Sequence, residues 1–193
     1  MFENPSGATE LTDEEKEGLK IRTITTRTEL NRWEQENISK AHAWYQKKRS
    51  LTISDIDNLK TLHKKMFGTV WEWAGKFRRS NKNIGVNWPQ IPIKAKILLD
   101  DVNYWIDHQT YSQPEICARF HHGLVAIHLF SNGNGRHARL ASDIMMDKQF
   151  GLEPFEWGTE ILSEKSGRRK EYISSLHAAD KGDFKPLYIF LGL

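Results

Sequence analysis

The stretch that decides how this chain is read is His128-Leu129-Phe130-Ser131-Asn132-Gly133-Asn134-Gly135-Arg136-His137-Ala138-Arg139. An apolar helical stripe of Ile116, Phe120, Leu124 and Ile127 runs into it and ends near Phe130. A second stripe, with Leu140, Ile144 and Met145, leaves it along Arg136 to Phe150. Between them Ser131–Gly135 turns tightly, and Gly133 and Gly135 permit positive φ and close backbone approach. The first N–H groups of the outgoing helix lack intrahelical acceptors and lie at its positive dipole end. The turn is therefore a nest for an anion such as a phosphate. Arg136 and Arg139 are three apart, share a helix face and can reach one polyphosphate. His128 ends the incoming helix, where a neutral imidazole can take a proton from an attacking hydroxyl. The glycine spacing alone would also suit a plain turn between two core helices with solvated arginines. The full run of residue types is more specific.

Working outward, the texture is helical. Thr28 is the expected N-cap of a helix with Leu30, Trp33, Ile38, Ala41, Trp44 and Tyr45 on its stripe. Ser54–Phe67 repeats Ile56, Leu59, Leu62 and Met66 at helical spacing with Ser54 as cap, and Thr69–Ala74 adds a helical turn. Gly75–Pro92 breaks the pattern with Asn, Gly and Pro around short extended pieces and reads as a loop or small β-hairpin. Ile93–His108 is helical again, with Ile97, Val102 and Trp105 as core candidates; Pro114 opens the next helix, and Ser166–Ala179 and Pro186–Leu191 close the chain. The fold class is all-α with one β-like excursion. Residues 1–27 are polar and read as a loosely held arm, although Thr12-Asp13-Glu14-Glu15 could cap a short helical turn.

Composition bounds the function. At 193 residues, 38% apolar and 27% charged, the chain suits one globular domain and not a mostly disordered one. Its N-terminus has neither the basic start nor the apolar stretch of a secretory signal, and no apolar run is long enough to cross a membrane, so a cytoplasmic location is expected. Lone Cys117 excludes an internal disulfide framework, and its place on a buried stripe makes it an inert core thiol. Net charge is +3. The clusters Lys47-Lys48-Arg49, Arg78-Arg79 and Arg168-Arg169-Lys170 read as solvated surface, and nucleic acid is not an expected partner.

HLFSNGNGRHAR resembles the Fic-family signature HxFx[D/E]GNGRxxR, carried by all-helical enzymes that move a nucleotide monophosphate from ATP to a protein hydroxyl. KFRRSNKNIGVNWPQIPIKAKILLDDVNYW is similar to that family's β-hairpin flap and following helix. EYISSLHAADKGDFKPLYIFL is similar to its closing helices, with the A-x-x-G-D-x-x-P-L pattern. The resemblance runs from Leu51 to the C-terminus, and with Asn132 the wording resembles the "mobile mystery protein B" branch. It implies an arm over 1–27, an inhibitory helix over 28–50 and a Fic domain over 51–193, with ATP and Mg²⁺ as co-substrate and cofactor and a target protein as partner; a homo-oligomer stays open. By the same resemblance His128 is the general base, and Gly133, Asn134, Gly135 and Arg136 hold the α- and β-phosphates. Arg139 pairs with the γ-phosphate, Phe130 is buried and holds the loop, and Asn83, Ile84 and Gly85 dock the target by strand addition.

Asn132 departs from the pattern, because the family carries Asp or Glu there as the Mg²⁺ ligand and an amide oxygen supplies no charge. The expectation is weaker metal binding, slower transfer or another donor nucleotide. The family's inhibitory helix reads [S/T]xxxE[G/N]; Glu36-Asn37 fits its last two positions, while Arg32 replaces Ser or Thr. Glu36 is the expected brake, against the plain reading of a surface carboxylate. Two alternatives accompany AMP transfer: a nucleotide-binding pseudoenzyme that serves as a partner-binding module, and a hydrolase that removes AMP from modified targets. His121 and His122 are expected to pack or cap, not to bind metal, and the seven Trp to anchor core and flap.

Overall fold

The computed structural model describes residues 11–158 and 167–193, so the arm's first ten residues and Ser166 lie outside them. Local sequence signals set the helix starts. In α1 (Asp13–Glu17), Thr12 Oγ1 accepts from the Glu15 N–H at 3.3 Å while Glu15 Oε2 accepts from the Thr12 N–H at 2.8 Å. Helix α2 (Arg27–Gln46) opens with the same reciprocal pair between Thr26 and Glu29, two residues ahead of Thr28. Asp55, not Ser54, caps α3 (Ile56–Phe67), because its carboxylate takes the N–H groups of both Asp57 and Asn58. Ser54 is buried and donates to Asn103 at 2.9 Å. A 3-10 turn at Trp88–Gln90 leads into α4 (Ile91–Asp107), and α5 (Gln113–Ile127) carries Pro114 in its first turn. Helix α6 (Asn134–Ile144) runs on as a π-helical turn, Met145–Gln149, before α7 (Gly167–Ala179) and α8 (Lys185–Leu191).

Helix α5 is the central element. It packs against α4, α6 and α8, while α3 bridges α2, α4 and α6. Phe120, Leu124, Val102, Leu62, Met66 and Ile144 meet in one continuous core. Each such side chain contributes about 1.5–3 kcal/mol on burial. Ile97, expected in this core, faces solvent at 46% exposure, because Ala95, Leu98, Leu99 and Val102 set the buried face of α4. The motif loop 128–133 is thus held between α5 and α6, which pack directly on each other.

Two further expectations are corrected. No strand forms among the described residues, and the expected hairpin is an irregular loop. Its backbone reaches the end of α5 and the residue after His128: the Val86 N–H donates to the Ile127 carbonyl at 3.3 Å, and the Arg78 N–H to the Leu129 carbonyl at 3.0 Å. The arm is docked from Leu11 onward. Leu19 makes an isolated antiparallel bridge with Trp71, and the Trp73 indole donates to the Glu15 carbonyl at 3.0 Å.

Candidate active site

His128 is the C-cap of α5 and adopts a left-handed conformation, φ 60° and ψ 66°. That conformation costs a non-glycine residue about 1–3 kcal/mol and persists only where surroundings enforce it. The side chain is buried, and burial, then the charges of Arg78 and Lys82, push its pKa down to about 4. It is neutral at pH 7. A neutral imidazole keeps one ring nitrogen as a proton acceptor.

The loop beyond is pinned from inside. Asn134 Oδ1 accepts from the Phe130 N–H at 2.9 Å and its Nδ2 donates to the Phe130 carbonyl at 2.7 Å. The Asn134 side chain is therefore spent on the loop. Phe130 is fully buried and stacks on His63 with centroids 3.7 Å apart. His63 Nδ1 accepts from the Gly75 N–H at 3.0 Å, so Nε2 carries the proton it donates to the Asn132 carbonyl, 3.1 Å away. Gly133 turns at φ 77°, and a Cβ there would lie 2.5 Å from the Phe67 ring. The amides of Asn134, Gly135 and Arg136 then open α6 without intrahelical acceptors.

Above this nest lie the two arginines. A Cβ on Gly135 would meet only Arg139 Nη1, at 3.7 Å, so the arginine closes over open space beside the amides. Arg139 rests against the Tyr172 ring, whose hydroxyl hydrogen-bonds His121 at 2.8 Å. Arg136 pairs with Glu34 at 2.8 Å; Glu34, 2% exposed, also accepts from the Trp71 indole at 2.7 Å.

Glu36 is corrected here. It is exposed and pairs with Lys40 at 2.7 Å, and the structure does not bring it to the arginines. Residues two apart on a helix point about 200° apart, so Glu34 inside places Glu36 outside. Arg78, read as solvated, is 2% exposed and grips the end of α5. Glu15 of α1 reaches the same region, bonding Lys82 and Ser80. Of the positions expected to dock a target, Asn83 and Ile84 are exposed, while Gly85 (φ 96°) abuts His128. His122 pairs with Asp180 at 2.8 Å, and Cys117 is buried, which pushes its thiol pKa up. Glu34 and Asn37 occupied helical-stripe positions between Leu30 and Ala41, so polar residues on a buried face were the missed signal.

Residues 53–146 match the Fic/DOC family, and with the fold and loop described above this stretch is a Fic domain. Protein adenylyltransferase fic-1 of Caenorhabditis elegans is 32% identical over 135 residues, 68% of this chain and 25% of that protein. Protein adenylyltransferase Fic of Aedes aegypti is 30% identical over 145 residues, 73% and 27% of the two chains. The chain thus spans about a quarter of the length of the curated relatives it matches. Among solved structures, C. elegans Fic-1 superposes with a TM-score of 0.66 at 25% identity, covering 91% of this chain and 51% of that one. Bartonella tribocorum BepC with bound AMPPNP gives a TM-score of 0.68 at 18% identity, covering 93% and 96%, a likeness of fold. No described helix is long and apolar enough to cross a membrane.

Proposed function

We propose that this chain is a protein adenylyltransferase that moves AMP from ATP to a Ser, Thr or Tyr hydroxyl of a target protein. The observation that carries the reading is a neutral, buried imidazole at one end of a loop whose other end offers three free amides and two arginines. The relatives named protein adenylyltransferases and the Fic structure solved with AMPPNP support it. In the reaction the target oxygen attacks the α-phosphorus and its proton passes to the His128 ring nitrogen. The P–O bond to the β-phosphate breaks, and pyrophosphate leaves. The amides of Asn134, Gly135 and Arg136 and the Arg136 side chain hold the α- and β-phosphates, and Arg139 the γ-phosphate. Fixed donors of this kind stabilise the charge that grows on the leaving group without reorganising. Asn83, Ile84 and Gly85 present the loop backbone to the target segment.

The residues around Asn132 do not fit a Mg²⁺ held by the protein. Asn132 Oδ1 accepts from the Gly133 N–H, its carbonyl accepts from His63, and no group of three or more His, Cys, Asp or Glu gathers among the described residues. Glu15 and Glu34 are already committed to Lys82 and Arg136. We therefore assign charge neutralisation to the arginines and the nest.

The Glu34–Arg136 pair favours a second feature, a restraint on activity. A nucleotide that uses Arg136 must displace or share the Glu34 carboxylate, so Glu34 takes the braking role first expected of Glu36. Incubation of the Glu34→Gln protein with ATP labelled at the α- or the γ-phosphate tests the reaction. Label retained on protein only from the α-position is expected; label from the γ-position would make the chemistry phosphoryl transfer. Nucleotide binding with no label from either would favour the binding module.

A further inference from the structure

Arg78 is a buried cation in a loop whose Arg79, Asn81, Asn83 and Ile84 face water. All its side-chain partners are main-chain carbonyls. Nε donates to His128 at 2.6 Å, Nη1 to Ser80 at 2.7 Å, and Nη2 to Val86, with the Ile127 carbonyl 3.4 Å from the same nitrogen. Its own N–H donates to the Leu129 carbonyl at 3.0 Å. Ile127, His128 and Leu129 are the residues at which α5 ends, where carbonyls lose their helical partners and the helix dipole favours a positive charge. Ser80 and Val86 are the two shoulders of the target-docking loop. One planar fork therefore joins the residue with the left-handed backbone, His128, to the loop that meets the target. Gly85 completes the contact: a Cβ there would lie 2.5 Å from His128 Cβ and 2.9 Å from Arg78 Nη2.

We propose that Arg78 is a positioning residue for transfer, locking His128 and the backbone of the target-docking loop into one rigid unit. The target hydroxyl is then presented at a fixed distance from the base. The inference rests on the reading of His128 as that base. Lysine cannot replace the fork, since a compact ammonium cannot span carbonyls that lie apart in one plane. The charged groups around His128 are Arg78 and Lys82 of the loop and, behind Lys82, Glu15 of α1.

The test uses Arg78→Lys and Arg78→Gln in the full chain, with steady-state kinetics and an NMR titration of the His128 ring. Both variants are expected to lower kcat about 10- to 100-fold while KM for ATP stays unchanged, as loss of alignment without loss of nucleotide contacts requires. Arg78→Gln also moves the His128 titration to higher pH by removing the charge beside it, whereas Arg78→Lys leaves that titration closer to wild type. Unchanged kcat, or a loss confined to KM for ATP, overturns the proposal. Should no form of the protein transfer AMP, the titration still decides: a His128 that titrates identically in Arg78→Gln overturns the clamp. If Arg78→Gln does not fold, Gly85→Ala lifts the loop from His128 with Arg78 in place. The same drop in kcat is expected of it, and an unchanged kcat again overturns the proposal.

Discussion

Replacing Glu34 by Gln should tighten nucleotide binding. The carboxylate sits 2.8 Å from Arg136 Nη1 with side-chain exposures of 2% for Glu34 and 22% for Arg136, so the pair is buried on one side and wet on the other. Exposed pairs contribute less than about 1 kcal/mol, while breaking a fully buried one costs about 3–5 kcal/mol. A half-buried pair lies between, at about 1–2 kcal/mol, and a phosphate that recruits Arg136 forfeits that amount. Glutamine removes the charge but keeps an oxygen for the Trp71 indole, so the packing of α2 on the turn after α3 survives. The expected gain is about 5- to 30-fold in affinity for ATP, read by calorimetry or by displacement of a fluorescent analogue. Glu36→Gln serves as the control and should change nothing, because that carboxylate faces solvent beside Lys40. An intact Glu34→Gln protein with unchanged affinity, or an equal gain from Glu36→Gln, would refute the reasoning.

Three more outcomes follow from the same geometry. His63→Leu strands the Gly75 N–H and the Asn132 carbonyl in the interior and should cost about 2–4 kcal/mol, measured by urea unfolding; a loss under about 0.5 kcal/mol contradicts the role given to His63. Stability should fall steeply as pH drops from 6.5 toward 5. Burial holds His63, His121, His128 and His137 neutral, the last three with pKa values of about 3, 4 and 4, so the unfolded chain gains protons the folded one refuses. Asp143, pushed up to about 7 by burial, opposes them by one proton, which leaves a slope of about 4 kcal/mol per pH unit at pH 5; a flat melting profile would contradict it. Asn132→Asp should make nucleotide affinity rise with added Mg²⁺, while the wild type responds weakly; a strong wild-type response contradicts the reading of the Asn132 site.

Helix order and the motif loop were legible because they are local. Apolar spacing marks α3 and α5, glycines mark the turn, and the His128–Arg139 stretch needs no distant partner to be recognised. What escaped depends on tertiary neighbours. Arg78 next to Arg79 reads as a wet basic pair, and only the approach of the loop to the end of α5 turns its guanidinium inward. The choice between Glu34 and Glu36 turns on which face of α2 meets Trp71 and Arg136. Trp33, placed on the stripe by sequence, is 43% exposed, and Glu34 and Asn37 take the inner face. The hairpin failed for a related reason: extended residues 76–87 find better backbone partners on α5 than on one another. Glu15 lay in a segment read as a polar arm, and its reach to Ser80 and Lys82 follows from a capped turn docked on Trp73.

In the proposed reaction His128 deprotonates a target hydroxyl so that AMP moves to it from ATP. The most direct measurement is mass spectrometry of protein from a lysate incubated with α-labelled ATP and the Glu34→Gln chain, with and without His128→Ala. The expected result is AMP on a Ser, Thr or Tyr side chain that disappears with His128→Ala while ATP binding persists. Adducts that form equally well without His128 would contradict it.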